Sequence, residues 1–148
     1  MMAGRIVVLW IGNRLMCDDG IGVRVAEALG REAQKSGIVF TAGETDIDYC
    51  LDVVSDADTC IIIDAARLGG TPCSVRVQDL EAVLERACSA RTFHEYDLIR
   101  AMKREDLIRK GLLITVEVDS IRFSDELSPV MEECFEKIVQ EVRELLPI

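Results

Sequence analysis

A glycine-rich segment, Gly12–Gly22, lies between an apolar run and a helical pattern, and it constrains the fold more than any other stretch. The apolar run is Arg5–Ile11, and apolar side chains recur at helical spacing from about residue 20 to residue 35. This succession predicts a strand, a tight loop and a helix. Asp18 and Asp19 lie side by side in the loop, where either one could cap the helix. Because sites in open α/β sheets gather past the carboxyl ends of strands, both acids are also candidate site residues.

The length and the net charge of the chain limit the kinds of protein to which it can belong. A length of 148 residues with 49% hydrophobic residues is enough for one domain with its own core, and we assign residues 1–148 to a single domain. A net charge of −10 repels phosphate backbones, so we expect no nucleic-acid partner. No apolar run approaches the ~20 residues of a membrane span. The N-terminal sequence also has no signal-peptide pattern, so we expect a cytoplasmic protein with no membrane association. We separately expect a monomer.

The cysteines are scattered along the chain and form no Cys-x-x-Cys pair, which argues against a zinc knuckle or a dithiol redox motif. In a reducing compartment we expect most of them to be small buried hydrophobic residues. They are Cys17, Cys50, Cys60, Cys73, Cys88 and Cys134.

Strand and helix patterns alternate along the rest of the chain. The predicted strands are Ile38–Ala42, Thr59–Ile63, Cys73–Val77 and Leu112–Val118. The predicted helices are Ile47–Val54, one from a capping box at Thr92 to Arg109 with Gly111 as its stop, and one that opens at Ser128-Pro129. The unbroken apolar run at 59–63 indicates a central parallel strand, and the alternation at 73–77 indicates an edge or antiparallel strand. The sequence therefore predicts a three-layer α/β/α sandwich with a twisted, mostly parallel sheet.

Acidic side chains follow two of the strands that we expect at the centre of the sheet. Asp18 and Asp19 follow the first strand, and Asp64 follows Thr59–Ile63. His94, the only histidine, lies at the start of a predicted helix, where the helix dipole favours the neutral imidazole that binds metals. If that helix begins at the same edge, carboxylates and imidazole converge. Such a set suits a divalent ion such as nickel, zinc, iron or manganese.

Two other classes of site are less well supported. The glycines of the first loop do not fit G-x-G-x-x-G, no G-K-[ST] is present, and acids there would repel a phosphate, which argues against a Rossmann-like nucleotide binder. No G-x-S-x-G is present either, and Cys17 has no histidine nearby in the sequence. A serine or cysteine hydrolase is therefore disfavoured.

Four motifs in the chain resemble those of the hydrogenase maturation endopeptidases. The first is Gly12-Asn13-x-Leu15-x-x-Asp18-Asp19-Gly20-x-Gly22, which is similar to the opening motif of that family. The others are Ile62–Ala65, Thr92-Phe93-His94 with Leu98, and Leu127–Val130, in the family's order. The resemblance implies a twisted sheet between helices, of the phosphorylase/hydrolase-like type.

The resemblance also implies a function. Members of this family clip a C-terminal extension from the large-subunit precursor of a [NiFe] hydrogenase after nickel has been inserted. The family's nickel-contacting positions fall on Asp19, Asp64 and His94. Nickel would arrive with the substrate as a recognition element and need not be a permanent cofactor. Asp19 or Asp64 would act as the general base that activates water, as in an aspartyl-type peptidase. Asp18 would be the structural acid of the pair.

Three positions depart from the family pattern. Trp10 stands where many members have glycine, Ala42–Thr45 replaces a Gly-Gly-Thr motif, and Thr115–Val118 replaces Gly-Ile-x-Pro. Trp10 and Glu44 motivate an alternative function, a non-catalytic metal-binding or chaperone module on the same fold.

Overall fold

Strands and helices alternate along the chain in the computed structural model, which describes residues 4–36, 38–86 and 94–147. The strands are β1 (Ile6–Ile11), β2 (Val39–Glu44), β3 (Thr59–Ala66), β4 (Val75–Asp79) and β5 (Lys110–Glu117). The α-helices are α1 (Ile21–Ser36), α2 (Ile47–Ser55), α3 (Leu80–Glu85), α4 (His94–Arg104) and α5 (Pro129–Leu145), and a short 3-10 helix covers Cys17–Gly20. Within the described ranges, no helix is both long and apolar enough to cross a membrane.

The described strands form one sheet in the order β2-β1-β3-β5-β4. The pairs β1–β2, β1–β3 and β3–β5 are parallel, and β4 runs antiparallel to β5. At the centre, Ile62 of β3 is in register with Leu9 of β1 and Leu113 of β5. The predicted central strand and the predicted antiparallel edge strand are both confirmed.

Apolar clusters cover both faces of the sheet. One face packs against α2, α3 and α4 through residues such as Val54, Leu84 and Met102. The other packs against α1 and α5 through residues such as Leu29 and Ile138. The central strands β1 and β3 are buried on both sides, as their unbroken apolar runs indicate. The predicted three-layer α/β/α sandwich with a mostly parallel sheet is confirmed.

Strand β3 is longer than the sequence predicts. The prediction ends the strand at Ile63, but the strand continues to Ala66, so Asp64 lies inside it. The parallel pairing of β3 with β5 continues past Ile63, and Asp64 is in register with Thr115 of β5. The carboxylate tolerates this buried position in part because it accepts a hydrogen bond from the N–H of Ala65 at 2.7 Å.

The end of α4 is the largest error in the predicted helices. The prediction extends this helix to Arg109, but it ends at Arg104. Asp106 takes a left-handed φ of 58°, and the N–H of Leu107 donates back to the carbonyl of Met102 at 2.8 Å. These features form a Schellman motif, in which an aspartate takes the position that glycine usually fills.

Gly111 was predicted to stop that helix, but it belongs to β5. Its φ is +141°, and a Cβ atom there would overlap the carbonyl oxygen of Cys60 on the neighbouring strand. Glycine is therefore needed at this position because β3 and β5 approach each other closely there. Strand β2 also runs further than predicted, through Glu44, so the turn predicted at Gly43–Asp46 is shorter.

The final helix begins as predicted. Pro129 is its first residue, and Ser128 takes the extended conformation of an N-cap residue. The predicted apolar stripe packs on the sheet. Met131, Ile138 and Val142 are fully buried, and Phe135 and Leu145 are partly buried beside them.

The cysteines divide into two groups. Cys17, Cys50 and Cys60 are free and buried, as predicted. Cys73 and Cys134 form a disulfide that joins the segment before β4 to α5, so the prediction was wrong for this pair. The two residues are 61 positions apart, and only the packing of α5 beside β4 brings them together. Cys88 lies outside the described residues.

Candidate active site

The loop after β1 folds tightly against the carboxyl edge of the sheet. Gly12 has a φ of +135°, and a Cβ atom at this position would overlap the backbone carbonyl oxygen of Asp19. Its N–H donates to the carbonyl of Glu44 at 3.0 Å, which ties the loop to the end of β2. Only glycine combines this backbone conformation with so close an approach.

Asp18 is completely buried, and its carboxylate accepts several hydrogen bonds. The donors are the N–H groups of Asp119 at 3.1 Å, Ser120 at 2.8 Å and Ser128 at 2.7 Å, together with the Ser128 hydroxyl at 2.7 Å. These donors lie in the segment after β5 and at the start of α5. Of the two structural roles suggested by the sequence, the described bonds fit holding the loop rather than capping α1.

Asp19 lies in the 3-10 helix and is 5% exposed. Its Oδ2 atom accepts a hydrogen bond from the N–H of Asn13 at 2.9 Å. The side-chain oxygen of Asn13 in turn accepts from the N–H of Leu15 at 2.9 Å. The fold of the loop therefore fixes the position of the Asp19 carboxylate.

Asp64 reaches the same place from the adjacent strand. A Cβ atom at Gly12 would lie 3.6 Å from the Oδ1 atom of Asp64. The backbone of Asp19 and the side chain of Asp64 therefore both border Gly12. Asp64 lies on the sheet face that packs against α2, α3 and α4, because Ile62, two residues earlier, belongs to that apolar cluster. The fold thus brings these two sequence-predicted acids to one glycine.

His94 is the first residue of α4, which packs on the same face through Leu98, Ile99 and Met102. The helix runs towards the edge at which β5 begins, so its first residue lies towards the carboxyl edge. The side chain of His94 lies outside the described part of the structure, as do Thr92 and Phe93 of the predicted capping box. Among the side chains that are described, no group of three or more His, Cys, Asp or Glu residues could hold a metal ion.

A buried thiol lies close to these acids. Burial raises the pKa of Cys50 from 9.0 to about 11, and the carboxylates of Asp46 and Asp64 add to the effect. Cys50 therefore stays a neutral thiol near pH 7. Cys17 is also buried, and its thiol donates to a carboxylate oxygen of Asp18 at 3.6 Å. The raised pKa of Cys50 argues against a nucleophilic role for that thiol.

Glu117 is a buried acid that belongs to none of the motifs in the sequence. It is 8% exposed, and its carboxylate accepts the N–H of Leu68 at 3.0 Å and of Gly69 at 3.2 Å. It lies on the sheet face of Asp64, two residues beyond Thr115, which pairs with Asp64. An acidic residue inside an otherwise apolar strand is the sequence signal that could have identified Glu117. Glu117 holds the loop that follows β3.

Trp10 lies on the sheet face opposite Asp64, and Glu44 contacts the loop after β1 through its backbone carbonyl. Trp10 is buried in the apolar cluster under α1 and α5, and its ring packs on Phe40 with centroids 5.4 Å apart. That cluster covers the face opposite Asp64. Glu44 is exposed, and its backbone carbonyl accepts the N–H of Gly12. The positions of Trp10 and Glu44 therefore give little support to the alternative function, a non-catalytic metal-binding or chaperone module.

A family model described as HycI, hydrogenase maturation protease, matches residues 23–145. The matched range contains Asp64 and His94 but begins after the loop that carries Asp19. Hydrogenase expression/formation protein HupD of Thiocapsa roseopersicina is 33% identical over 135 residues, which cover 86% of this chain and 61% of HupD. The chain spans 41% of a second HupD, from Rhizobium leguminosarum bv. viciae, so it covers only part of these relatives.

A solved structure is also similar along nearly its whole length. The hydrogenase maturating endopeptidase HybD from E. coli is 26% identical and superposes with a TM-score of 0.75. The superposition covers 93% of this chain and 89% of HybD. The likeness therefore extends over most of the fold.

Proposed function

The chain belongs to the hydrogenase maturation protease family, and we propose that it is an endopeptidase that removes the C-terminal extension of a nickel-loaded [NiFe] hydrogenase large-subunit precursor. The observation that carries the proposal is that the Asp19 carboxylate accepts the N–H of Asn13, while the Asp64 carboxylate lies beside the adjacent Gly12. Because the chain spans only part of its first curated relatives, activity and substrate rest on this site as well as on the family. We propose that the chain acts as a cytoplasmic monomer.

In this proposal nickel belongs to the substrate. Asp19, Asp64 and His94 contact the nickel ion that the precursor carries, and these contacts place the bond to be cleaved. Carboxylate oxygens and imidazole nitrogens are suitable ligands for a divalent ion of borderline softness. A precursor without nickel lacks these contacts and docks poorly. Cleavage then follows metal insertion, which sets the order of maturation.

The hydrolysis needs a base, and the carboxylate of Asp19 or Asp64 supplies it. The oxygen of a water molecule bonds to the carbonyl carbon of the scissile peptide while the carboxylate takes the water proton. The C–N bond then breaks, and the proton passes to the leaving amine nitrogen. Asp19 is 5% exposed and Asp64 is fully buried, so water reaches Asp19 more readily before the substrate binds.

The test is cleavage of a nickel-loaded precursor, followed by intact mass spectrometry. The wild-type chain should shorten the precursor by one C-terminal segment. Asp19→Asn and Asp64→Asn should each slow cleavage because both acids contact nickel, and the variant that removes the general base should lose about 100-fold or more, since a positioned base contributes that much. Asp48→Asn is the matched control, because Asp48 is an exposed acid in the first turn of α2 and should leave the rate unchanged.

Two outcomes would contradict different parts of the proposal. If the wild-type chain binds the nickel-loaded precursor but never shortens it, the endopeptidase assignment is wrong and the non-catalytic module is favoured. If it cleaves nickel-free and nickel-loaded precursors equally fast, nickel is not the recognition element, although the hydrolytic function stands.

A further inference from the structure

Three neighbouring strands are each followed by an arginine next to an exposed apolar side chain. The pairs are Arg14-Leu15 after β1, Arg67-Leu68 after β3 and Arg122-Phe123 after β5. The apolar members are 52%, 43% and 83% exposed in that order. Because β1, β3 and β5 are adjacent and parallel, the three pairs lie along one edge of the sheet. It is the edge that carries the two acids of the candidate active site.

Two exposed arginines lie beside the apolar side chains of this edge. Arg67 and Arg122 are exposed, and neither makes a hydrogen bond or an ion pair within the part of the chain that the structure describes. Arg14 is paired with Glu27. Two exposed guanidinium groups that make no ion pair with the described residues, next to exposed apolar side chains, favour a partner segment that is apolar and carries carboxylates.

Buried carboxylates hold the loops that carry these pairs. Glu117 accepts the N–H of Leu68 in the loop after β3. Asp18 accepts the N–H groups of Asp119 and Ser120 in the loop after β5. The exposed side chains therefore project from backbone that is already fixed, which lowers the entropy cost of binding.

We propose that Leu15, Arg67-Leu68 and Arg122-Phe123 form a docking surface for the precursor chain on either side of its cleaved bond. The apolar side chains pack on apolar residues of the precursor, and the two arginines pair with its carboxylates. Arginine and aromatic residues are the types that most often dominate binding energy at interfaces. This inference rests on the proposed function, because it names how the same substrate is held.

The test uses the full-length chain and a nickel-loaded precursor, with KM and kcat measured separately. Arg67→Glu/Arg122→Glu and Leu68→Ser/Phe123→Ser should each raise KM by about tenfold or more, because reversed charges and lost apolar contacts weaken binding. Neither variant should change kcat by more than about twofold. Added salt should raise the KM of the wild-type chain but not that of the charge-reversed variant.

Strand β4 offers a matched control, Arg76→Glu/Val77→Ser. Arg76 is also exposed and unpaired among the described residues, and Val77 is 41% exposed, close to the value for Leu68. This pair lies within the edge strand rather than in a loop at the carboxyl edge. The control should keep the wild-type KM. A tenfold rise in the control as well would show a general effect of surface charge and overturn the docking surface.

The docking surface and the proposed function can fail separately. If the wild-type chain cleaves the precursor and the loop variants keep its KM, the docking surface is wrong and the function stands. If the wild-type chain cleaves nothing, the dissociation constant of the uncleaved precursor is measured in the same variants. A tenfold loss of affinity then supports the docking surface, and unchanged affinity overturns it.

Discussion

The carboxylate of Asp18 accepts hydrogen bonds from both the N–H and the hydroxyl of Ser128, each at 2.7 Å, across 110 residues of sequence. Ser128 is the N-cap residue of α5, so this contact joins the loop after β1 to the start of the last helix. The two segments enclose the edge where Asp19 lies. A buried acid that accepts several protein hydrogen bonds is thus part of how the site keeps its shape.

We expect Asp18→Asn to lower the free energy of unfolding by about 3 kcal/mol, because an amide NH₂ would replace one oxygen that now accepts N–H groups and leave buried donors without acceptors. Urea denaturation followed by circular dichroism measures the change. Asp125→Asn, at an exposed acid in the same segment as Ser124, should stay within about 0.5 kcal/mol of the wild-type value. Equal stabilities for the two variants would show that the Asp18 contacts are dispensable.

Gly12→Ala should destabilise the chain by about 2–3 kcal/mol and reduce precursor cleavage. The new Cβ atom would overlap the carbonyl oxygen of Asp19 in a backbone conformation with φ +135°. Differential scanning calorimetry gives the change in stability. Gly30→Ala in α1 has no heavy atom within 4 Å of its Cβ and should stabilise the helix by up to about 1 kcal/mol. A stabilising Gly12→Ala would contradict the loop geometry.

Features that depend on local pattern were predictable. The unbroken apolar run at 59–63 gave β3 its central place, and Ser128-Pro129 marked the start of α5. Periodicity and caps act over a few residues, so a single sequence carries them. The same holds for placing Asp19 and Asp64 at one edge, because parallel strands present their carboxyl ends together.

Features that depend on contacts between distant residues were not predictable. Gly111 is the stronger local stop signal, but it is required by the close approach of Cys60 on the next strand, so α4 ends earlier, at an aspartate in the left-handed conformation. The sequence likewise left open whether Asp18 capped α1 or held its loop, since Ser128 lies 110 residues away. The contact of the His94 imidazole with nickel stays a prediction.

The disulfide between Cys73 and Cys134 should make stability depend on redox conditions. Its loss frees a loop of 61 residues in the unfolded chain, which corresponds to about 4 kcal/mol in the chain-entropy treatment. A reductant should therefore lower the unfolding midpoint of the wild-type chain and leave Cys73→Ser/Cys134→Ser unchanged. Alkylation of all six cysteines in the unfolded, unreduced chain would contradict the bond.

Two buried thiols should make stability fall at high pH. Burial raises the pKa of Cys60, like that of Cys50, from 9.0 to about 11, and the nearby Arg109 only partly opposes this for Cys60. Between these values the folded chain keeps protons that the unfolded chain loses, so stability is full below pH 9 and declines as the pH rises to about 11.

The decline amounts to up to about 3 kcal/mol for each thiol, since one pKa unit corresponds to about 1.4 kcal/mol. Urea midpoints measured from pH 8 to pH 11 in wild type and Cys60→Ala test this expectation. The variant starts from a lower stability because it lacks a buried sulfur, but it should lose less between pH 9 and pH 11. Parallel curves would mean that the Cys60 thiol ionises as readily in the folded chain as in the unfolded one.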